Sequence, residues 1–342
     1  DAANTPTDPT ARKYRIESEP TAVYYLGDSH RILARAGQLA HWQLMIDAYQ
    51  GFGTRFPTQA GLAEATVDSI VEGQLALGET AAAEAAFQTM VDGEMSNSRV
   101  ASAAWKLQGY FTALANAAPT SDERMPPLSK AALYLGIMNQ RSVQASGGGY
   151  YNEALMRKEL GEWSQVEKLA AAALEPLAEL PESNRFLAKA LRVDALLELR
   201  RVGEAVPLVE ELRKEKPTDR QVLAFTIRTL AGFLIVEKGQ VSEVPGDGKK
   251  ESLMKAIEAA NTLVQVAEFA ATTDGKNKFN YKPWWEARVD QLYVIYRLGQ
   301  VDTAQAGTHK RLIDGLESQA PKLGEEVCGR TVPLKLQWLK LR

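Results

Sequence analysis

Four groups of side chains in this sequence have types and spacings that could do chemistry. His30 and His41 fall on consecutive predicted helices, where two facing imidazoles could ligate a metal ion. No cysteine lies near them and no HExxH-type pair occurs, so they are expected to be packed or exposed histidines without a metal. His309 is flanked by Lys310 and Arg311, which repel a cation, and is expected at the surface. Gly147-Gly148-Gly149-Tyr150-Tyr151 is the one glycine cluster, and such loops can cradle phosphate at a helix start. A P-loop also needs Lys-Ser/Thr after a strand, and neither is present. The cluster is therefore expected to end a helix over Leu128–Gln144 and to turn the chain into its next helix.

Glu153, Glu159, Glu162 and Glu167 could in principle supply the paired carboxylates of glycoside hydrolysis, which some all-α toroidal enzymes perform. Such an enzyme should also carry recurrent groove aromatics and a closure into a ring, and the small-residue turns of this sequence fit an open superhelix better. No catalytic set and no cofactor motif emerges. The densest aromatic group is Phe279, Tyr281, Trp284 and Trp285, interleaved with Lys276, Lys278, Lys282 and Arg288. Aromatic and basic residues so mixed can stack bases or sugars, or grip a peptide. The competing use is structural: Pro283 starts a final long helix and the tryptophans cover the preceding pair. Near the end, Leu334, Leu336, Trp338, Leu339 and Leu341 put more apolar surface in one tail than water tolerates. A fold-back cap over the last helices is the expected use, with a contact surface as the other.

These side chains sit on elements that read almost everywhere as helix. Residues 61–77 place Leu62, Ala65, Ile70 and Leu75 on one stripe, and Ala83, Ala86, Phe87 and Met90 repeat the pattern over the next segment. No sustained β-branched alternation of five or six residues stands out, so the expected class is all-α. The chain has 342 residues, 45% of them hydrophobic and 24% charged, which suffices for a substantial core. A formal net charge of -3 argues against a nucleic-acid binder. The densest charge run, Glu210 to Lys216, mixes signs as a solvated helix face does. Cys328 is the single cysteine, which excludes an intrachain disulfide and a cysteine-cluster metal site. No run approaches the roughly 20 apolar residues of a membrane span. The start at Asp1 suits an exported bacterial protein as well as a cytoplasmic fragment.

A short glycine turn recurs between helical segments. It appears as Arg35-Ala36-Gly37-Gln38, Ala76-Leu77-Gly78-Glu79, Glu159-Leu160-Gly161-Glu162 and Arg297-Leu298-Gly299-Gln300. Gly37 and Gly78 are 41 residues apart, and Gly161 follows after 83, or two such steps. Arg201-Val202-Gly203-Glu204 and Glu237-Lys238-Gly239-Gln240 continue the series, and Ala117 to Asp122 supplies a turn near residue 120. A period of this length marks a helical solenoid, here of about seven antiparallel pairs in an α-α superhelix. Loops over Pro119–Pro127, Gly239–Lys249 and Thr273–Pro283 are expected to interrupt it.

The pattern resembles the tetratricopeptide repeat in a long-helix variant. Its second helix carries a small residue and then an aromatic, matched by Gly78, Ala83 and Phe87. Further copies run through Ala205, Val209, Leu212 and Pro217, through Gly161, Trp163, Val166 and Ala170, and through Gly299, Val301 and Ala304. Leu26-Gly27 and Leu135-Gly136 stand for the first-helix Leu-Gly pair. The resemblance covers about residues 20–320 and implies a scaffold or adaptor that binds a protein or peptide. No carboxylate-clamp set of that family transfers onto this sequence. The expected organisation is a polar lead-in over 1–17, one repeat domain over 18–330 and a capping or interface segment over 331–342. Phe279, Tyr281, Trp284, Trp285, Arg288 and Trp338 are the partner-binding candidates. An all-α enzyme, or a carbohydrate or small-ligand binder with an aromatic and acidic cleft, is the alternative.

Overall fold

The computed structural model describes residues 8–142 and 146–342. Its contacts divide into two compact units. One comprises the chain to Glu162 with the stretch Glu175–Glu179, the other Trp163–Leu174 and Leu180–Arg342. Both are built from consecutive helices that pack neighbour on neighbour, and the fold is all-α apart from one hairpin.

The first unit holds α1 (Pro9–Arg35), α2 (Ala40–Tyr49), the single turn α3 (Phe52–Arg55), α4 (Ala60–Ala76), α5 (Thr80–Asp92), α6 (Asn97–Ala117), α7 (Ser121–Arg141) and α8 (Gly147–Glu159). Helix α1 begins inside the stretch read as a polar lead-in, and residues 1–7 lie outside the described residues. Ala83, Ala103, Ala104 and Ala131 are fully buried, so the helix axes approach closely, and Phe87, Leu107, Phe111 and Tyr134 fill the space between them. Tyr134 stacks on Phe111 at 5.7 Å and meets Phe87 edge-on at 5.3 Å. The Leu-Gly pairs serve the same close approach. A Cβ on Gly27 would lie 2.2 Å from the Tyr49 ring, and one on Gly136 2.8 Å from the Glu153 carboxylate. Thr120 caps α7 by accepting from the Glu123 N–H, and this helix runs straight through Pro126 and Pro127, where a lengthened turn was expected.

The glycine cluster sits differently from the expectation. Helix α7 ends at Arg141, and Gly147, Gly148 and Gly149 form the first turn of α8, capped by Ser146 Oγ accepting from the Gly149 N–H at 3.1 Å. Gln144, the expected helix end, lies outside the described residues. A Cβ on Gly149 would sit 2.4 Å from Asn139 Oδ1, so the glycine admits the neighbouring helix.

The second unit holds α9 (Trp163–Leu174), α10 (Glu182–Glu198), α11 (Val202–Glu215), α12 (Arg220–Leu230), strands β1 (Gly232–Glu237) and β2 (Gln240–Pro245), then α13 (Lys250–Thr273), α14 (Lys282–Val301), α15 (Thr308–Gln319), the turn α16 (Glu325–Cys328) and α17 (Thr331–Leu341). Glu237-Lys238-Gly239-Gln240 is a hairpin turn and not a helix-to-helix turn. Lys238 and Gly239 both have positive φ, 51° and 78°, the type I′ geometry that matches strand twist. The strands pair antiparallel from Gly232↔Pro245 to Glu237↔Gln240, and the run Phe233-Leu234-Ile235-Val236 supplies the β-forming side chains. Residues 240–245 of the expected loop are thus strand.

Two further repeat positions are corrected. Gly299 lies within α14, where a Cβ would press on Gln305 and Ala306, so it serves a close crossing and makes no turn. Ala304 is exposed in a 3-10 turn and takes no part in a helix crossing. Gly203 is helical too; the left-handed residue there is Arg200, three positions earlier. By contrast Gly37, Gly78 and Gly161 do adopt positive φ just after α1, α4 and α8. Ala205 and Leu212 are fully buried, whereas Trp163 is half-buried at the start of α9.

The tail forms α17, which packs on α14 and α15 and buries Val332, Leu336 and Leu339. Lys340 reaches back to Asp314 at 2.9 Å and Glu317 at 2.5 Å. Deleting residues 331–342 should therefore lower the melting midpoint of the isolated chain by about 10 °C or more, since several large apolar side chains lose their burial. An unchanged melt would show that α17 contributes no cap. Phe87→Ala should cost about 3–5 kcal/mol and Leu212→Ala about 2–5 kcal/mol in thermal or urea unfolding. Normal midpoints for both would place the helix seams elsewhere.

Candidate functional sites

Helix α14 carries most of the chemistry singled out from the sequence, and helical spacing sorts it onto different faces. Pro283 starts the helix, where its missing N–H costs nothing. Trp285 is fully buried; its Nε1–H donates to the Phe279 carbonyl at 2.9 Å, and its ring covers Gly324, where a Cβ would lie 2.7 Å away. Trp284 is 3% exposed and packs edge-on against Phe279 at 5.3 Å and against Trp285 at 5.1 Å. The two tryptophans are thus core residues, and Trp284 also lines a cavity. Phe279 and Tyr281 are half-buried, and Trp338 is half-buried on α17, edge-on to Tyr296 at 5.7 Å. Tyr281 and Trp338 do not join the cavity described next.

Trp284, Arg288 and Gln291 follow one another at helical spacing on the face of α14 toward α13 and α15. A cavity of about 240 Å³ opens there, walled by Val264, Glu268, Lys278, Phe279, Trp284, Arg288, Arg311, Leu312 and Leu316. Lys278 pairs with Glu268 at 2.9 Å, and Arg311 donates to Thr308 Oγ1 at 3.2 Å. Arg288 donates through Nη1 to Gln291, whose amide in turn donates to Asn261 at 2.6 Å. The Arg288 Nε–H and the Trp284 Nε1–H are buried and have no acceptor. Burial pushes the Arg288 guanidinium down from its ordinary value, the nearby Glu268 opposing that shift.

Glu286 and Asp290 occupy another face of α14, toward α12 and α17. Two cavities of about 460 and 170 Å³ share Arg228, Glu286 and Asp290 in their walls, and Lys335 of α17 lines the smaller. Burial raises the Asp290 carboxyl against the pull of Arg228 and Lys335, and burial lowers the Lys335 ammonium. Burial likewise raises the Cys328 thiol in the smaller cavity, which keeps it in the protonated, weakly nucleophilic form. Tyr293 and Arg297 both donate to Glu243 of β2, at 2.7 and 2.6 Å, and tie α14 to the hairpin.

In the first unit His30 and His41 do meet. Their Nδ1 atoms lie 2.8 Å apart, so one ring donates and the other accepts. Among the described residues no group of three or more histidines, cysteines and carboxylates is placed to hold a metal ion. The glutamates considered for hydrolysis are each engaged by basic side chains. Glu153 accepts from Asn139 and Arg157, Glu159 pairs with Arg124 and Glu162 with Arg157. Glu167, in the second unit, is paired with Arg192 and Arg201. Sequence reasoning missed buried Asp68, which joins α4 to α6 through Lys106 at 2.6 Å and Ser102 at 3.2 Å. Its only trace in the sequence is an acidic residue inside an apolar stripe.

The apolar outer face of α1 is a further feature that periodicity alone passed over. Tyr25, Leu26, Ile32 and Leu33 are exposed at 63, 54, 61 and 37%. Their spacing places them on one stripe with Ser29 between them, opposite the face where Tyr24, Gly27 and Ala34 meet α2. Leu39 and Leu44 add exposed apolar area in the next turn and helix.

His309, expected at the surface, is 4% exposed, with Tyr296 edge-on at 5.3 Å. Burial and the Lys310 charge lower its pKa, so the folded chain resists a proton that the unfolded chain accepts. Stability should consequently fall as pH drops below about 6.5, by at most about 1.4 kcal/mol per pH unit from this group. His309→Phe should flatten urea-derived stability between pH 7.5 and 5.5, and an unaltered profile would show that this histidine is not the titrating group. No protein-family model matches the chain, and no curated protein matches it at a significant level.

Proposed function

We propose that this chain is a non-enzymatic scaffold or adaptor of the tetratricopeptide-like kind, and that it receives an amphipathic helix of a protein partner on the outer face of α1. The exposed stripe Tyr25, Leu26, Ile32 and Leu33 carries this reading. In the first unit α4, α6 and α7 bury their apolar stripes against neighbouring helices, whereas α1 meets α2 and α4 with only one side. Its other side repeats the spacing that a helix-in-groove contact uses, with anchors a turn or two apart. A cluster of large apolar side chains left in water on one helix face supports a contact site. Such a role requires no reacting groups, in keeping with glutamates that are held in ion pairs.

The test combines site-specific cross-linking with variants. A photo-cross-linker at Ile32 should capture a different protein through a helical segment. A synthetic peptide of that segment should bind the full chain with a Kd raised at least tenfold by Tyr25→Ser with Ile32→Ser. Both positions are exposed, so the double variant should melt within about 0.5 kcal/mol of the parent. Cross-linking only to a second copy of this chain, or equal peptide binding by the variant, would overturn the reading.

A further inference from the structure

The cavity between α13, α14 and α15 contains an arrangement that ordinary packing avoids. Arg288 is a partly buried guanidinium that has no ion pair within 4.0 Å among the described residues; it donates a hydrogen bond to the neutral amide of Gln291. One helical turn before it, Trp284 is buried with its indole N–H unpaired, and the Nε–H of Arg288 is unpaired as well. Buried donors without acceptors, and buried charges without counterions, cost folding free energy and are rare in native structures. Both residues line one cavity of about 240 Å³. Lys278, Arg288 and Arg311 give that wall three cations, against the single carboxylate of Glu268, which Lys278 already engages. Val264, Phe279, Leu312 and Leu316 add apolar side chains to the lining, beside the amide of Gln319.

We infer that this cavity is a binding site for a carboxylate carried on an apolar group, the two oxygens accepting from the Arg288 guanidinium and the Trp284 indole. A planar monoanion fits one guanidinium donor and one indole donor. The four apolar side chains can cover the group that carries the carboxylate, which inorganic phosphate lacks. Both donor atoms lie beneath the cavity surface, so the anion reaches them by shifting half-buried neighbours. Phe279 and Lys278, which contact the Trp284 ring, are those neighbours. Two sources offer this chemistry: a free aliphatic acid, and the C-terminal carboxylate of a peptide that ends in an apolar residue. The site is separate from the outer face of α1 and stands or falls without it.

Calorimetry on the full chain with hexanoate, with acetyl-Gly-Gly-Leu as the free acid and as the C-terminal amide, and with inorganic phosphate tests the inference. Saturable binding of hexanoate or of the acid peptide is expected, with at least tenfold weaker binding of the amide and of phosphate. A peptide acid that binds tenfold tighter than hexanoate identifies a C terminus as the source; the reverse identifies a free acid. Arg288→Met should raise the Kd for the bound acid at least tenfold while raising the melting midpoint of the ligand-free chain, because it removes a buried unpaired charge. Trp284→Phe, which keeps the ring and deletes the donor, should weaken binding severalfold and supplies a second variant should Arg288→Met not fold. Absence of binding by both acids, phosphate binding as tight as the acids, or folded variants that bind like the parent would each overturn the site.

Discussion

The burial of each helix's apolar stripe against its neighbour in the chain is the constraint on which the rest of this structure depends. An isolated helix of ten to twenty residues is marginal in water, so these helices persist because the adjacent one covers them. Alanines at the crossings make that possible. Ala83, Ala103, Ala104, Ala131 and Ala205 are fully buried, and each lets a neighbouring axis come near enough for Phe87, Leu107 or Leu212 to fill the gap. The cores are consequently clusters shared by adjacent helices, the most extensive of them built around α13 and α14.

Polar groups are drawn into these seams where they have partners. Asp68 with Lys106, Glu153 with Asn139 and Arg157, and Glu243 with Tyr293 and Arg297 each join two elements by charge-assisted hydrogen bonds. A paired group of this kind fixes the register of one helix on the next, because a slip would leave a buried charge alone. Arg288 and Trp284 break that rule within the same helix that anchors the second unit. The Nε atoms of Arg31, Arg157, Arg228 and Arg297 are also buried without an acceptor among the described residues. Trp284 and Arg288, however, line one cavity with two further cations, and there function is most economically sought.

Helix α14 shows how one element serves several ends. Trp285, Leu292 and Tyr293 hold it in the core; Trp284 and Arg288 open to a cavity toward α15; Glu286 and Asp290 line another toward α17. Since the core face is locked, the other side chains project from a rigid support. The outer face of α1 follows the opposite logic. It is apolar by composition, but among the described residues its large side chains stay exposed.

How much was legible in the residues varies with the range of the interaction. Helical periodicity, the left-handed glycines at 37, 78 and 161, and the small-then-aromatic pair Ala83 and Phe87 are local, and the sequence by itself determined them: backbone sterics and a 3.6-residue repeat need no distant partner. The hairpin was equally local, yet the regular interval of glycines masked the β-forming run before Lys238-Gly239. Tertiary structure alone decided that Trp284 and Trp285 are covered, that His309 is inside, that Gly299 marks a crossing and that the tail caps α14 and α15. It also decided that Arg288 lacks a counterion. Each of these turns on which side chains from far along the chain fill or leave the space around a residue. Composition and spacing carry the tendency to be buried, but only packing determines what is found there.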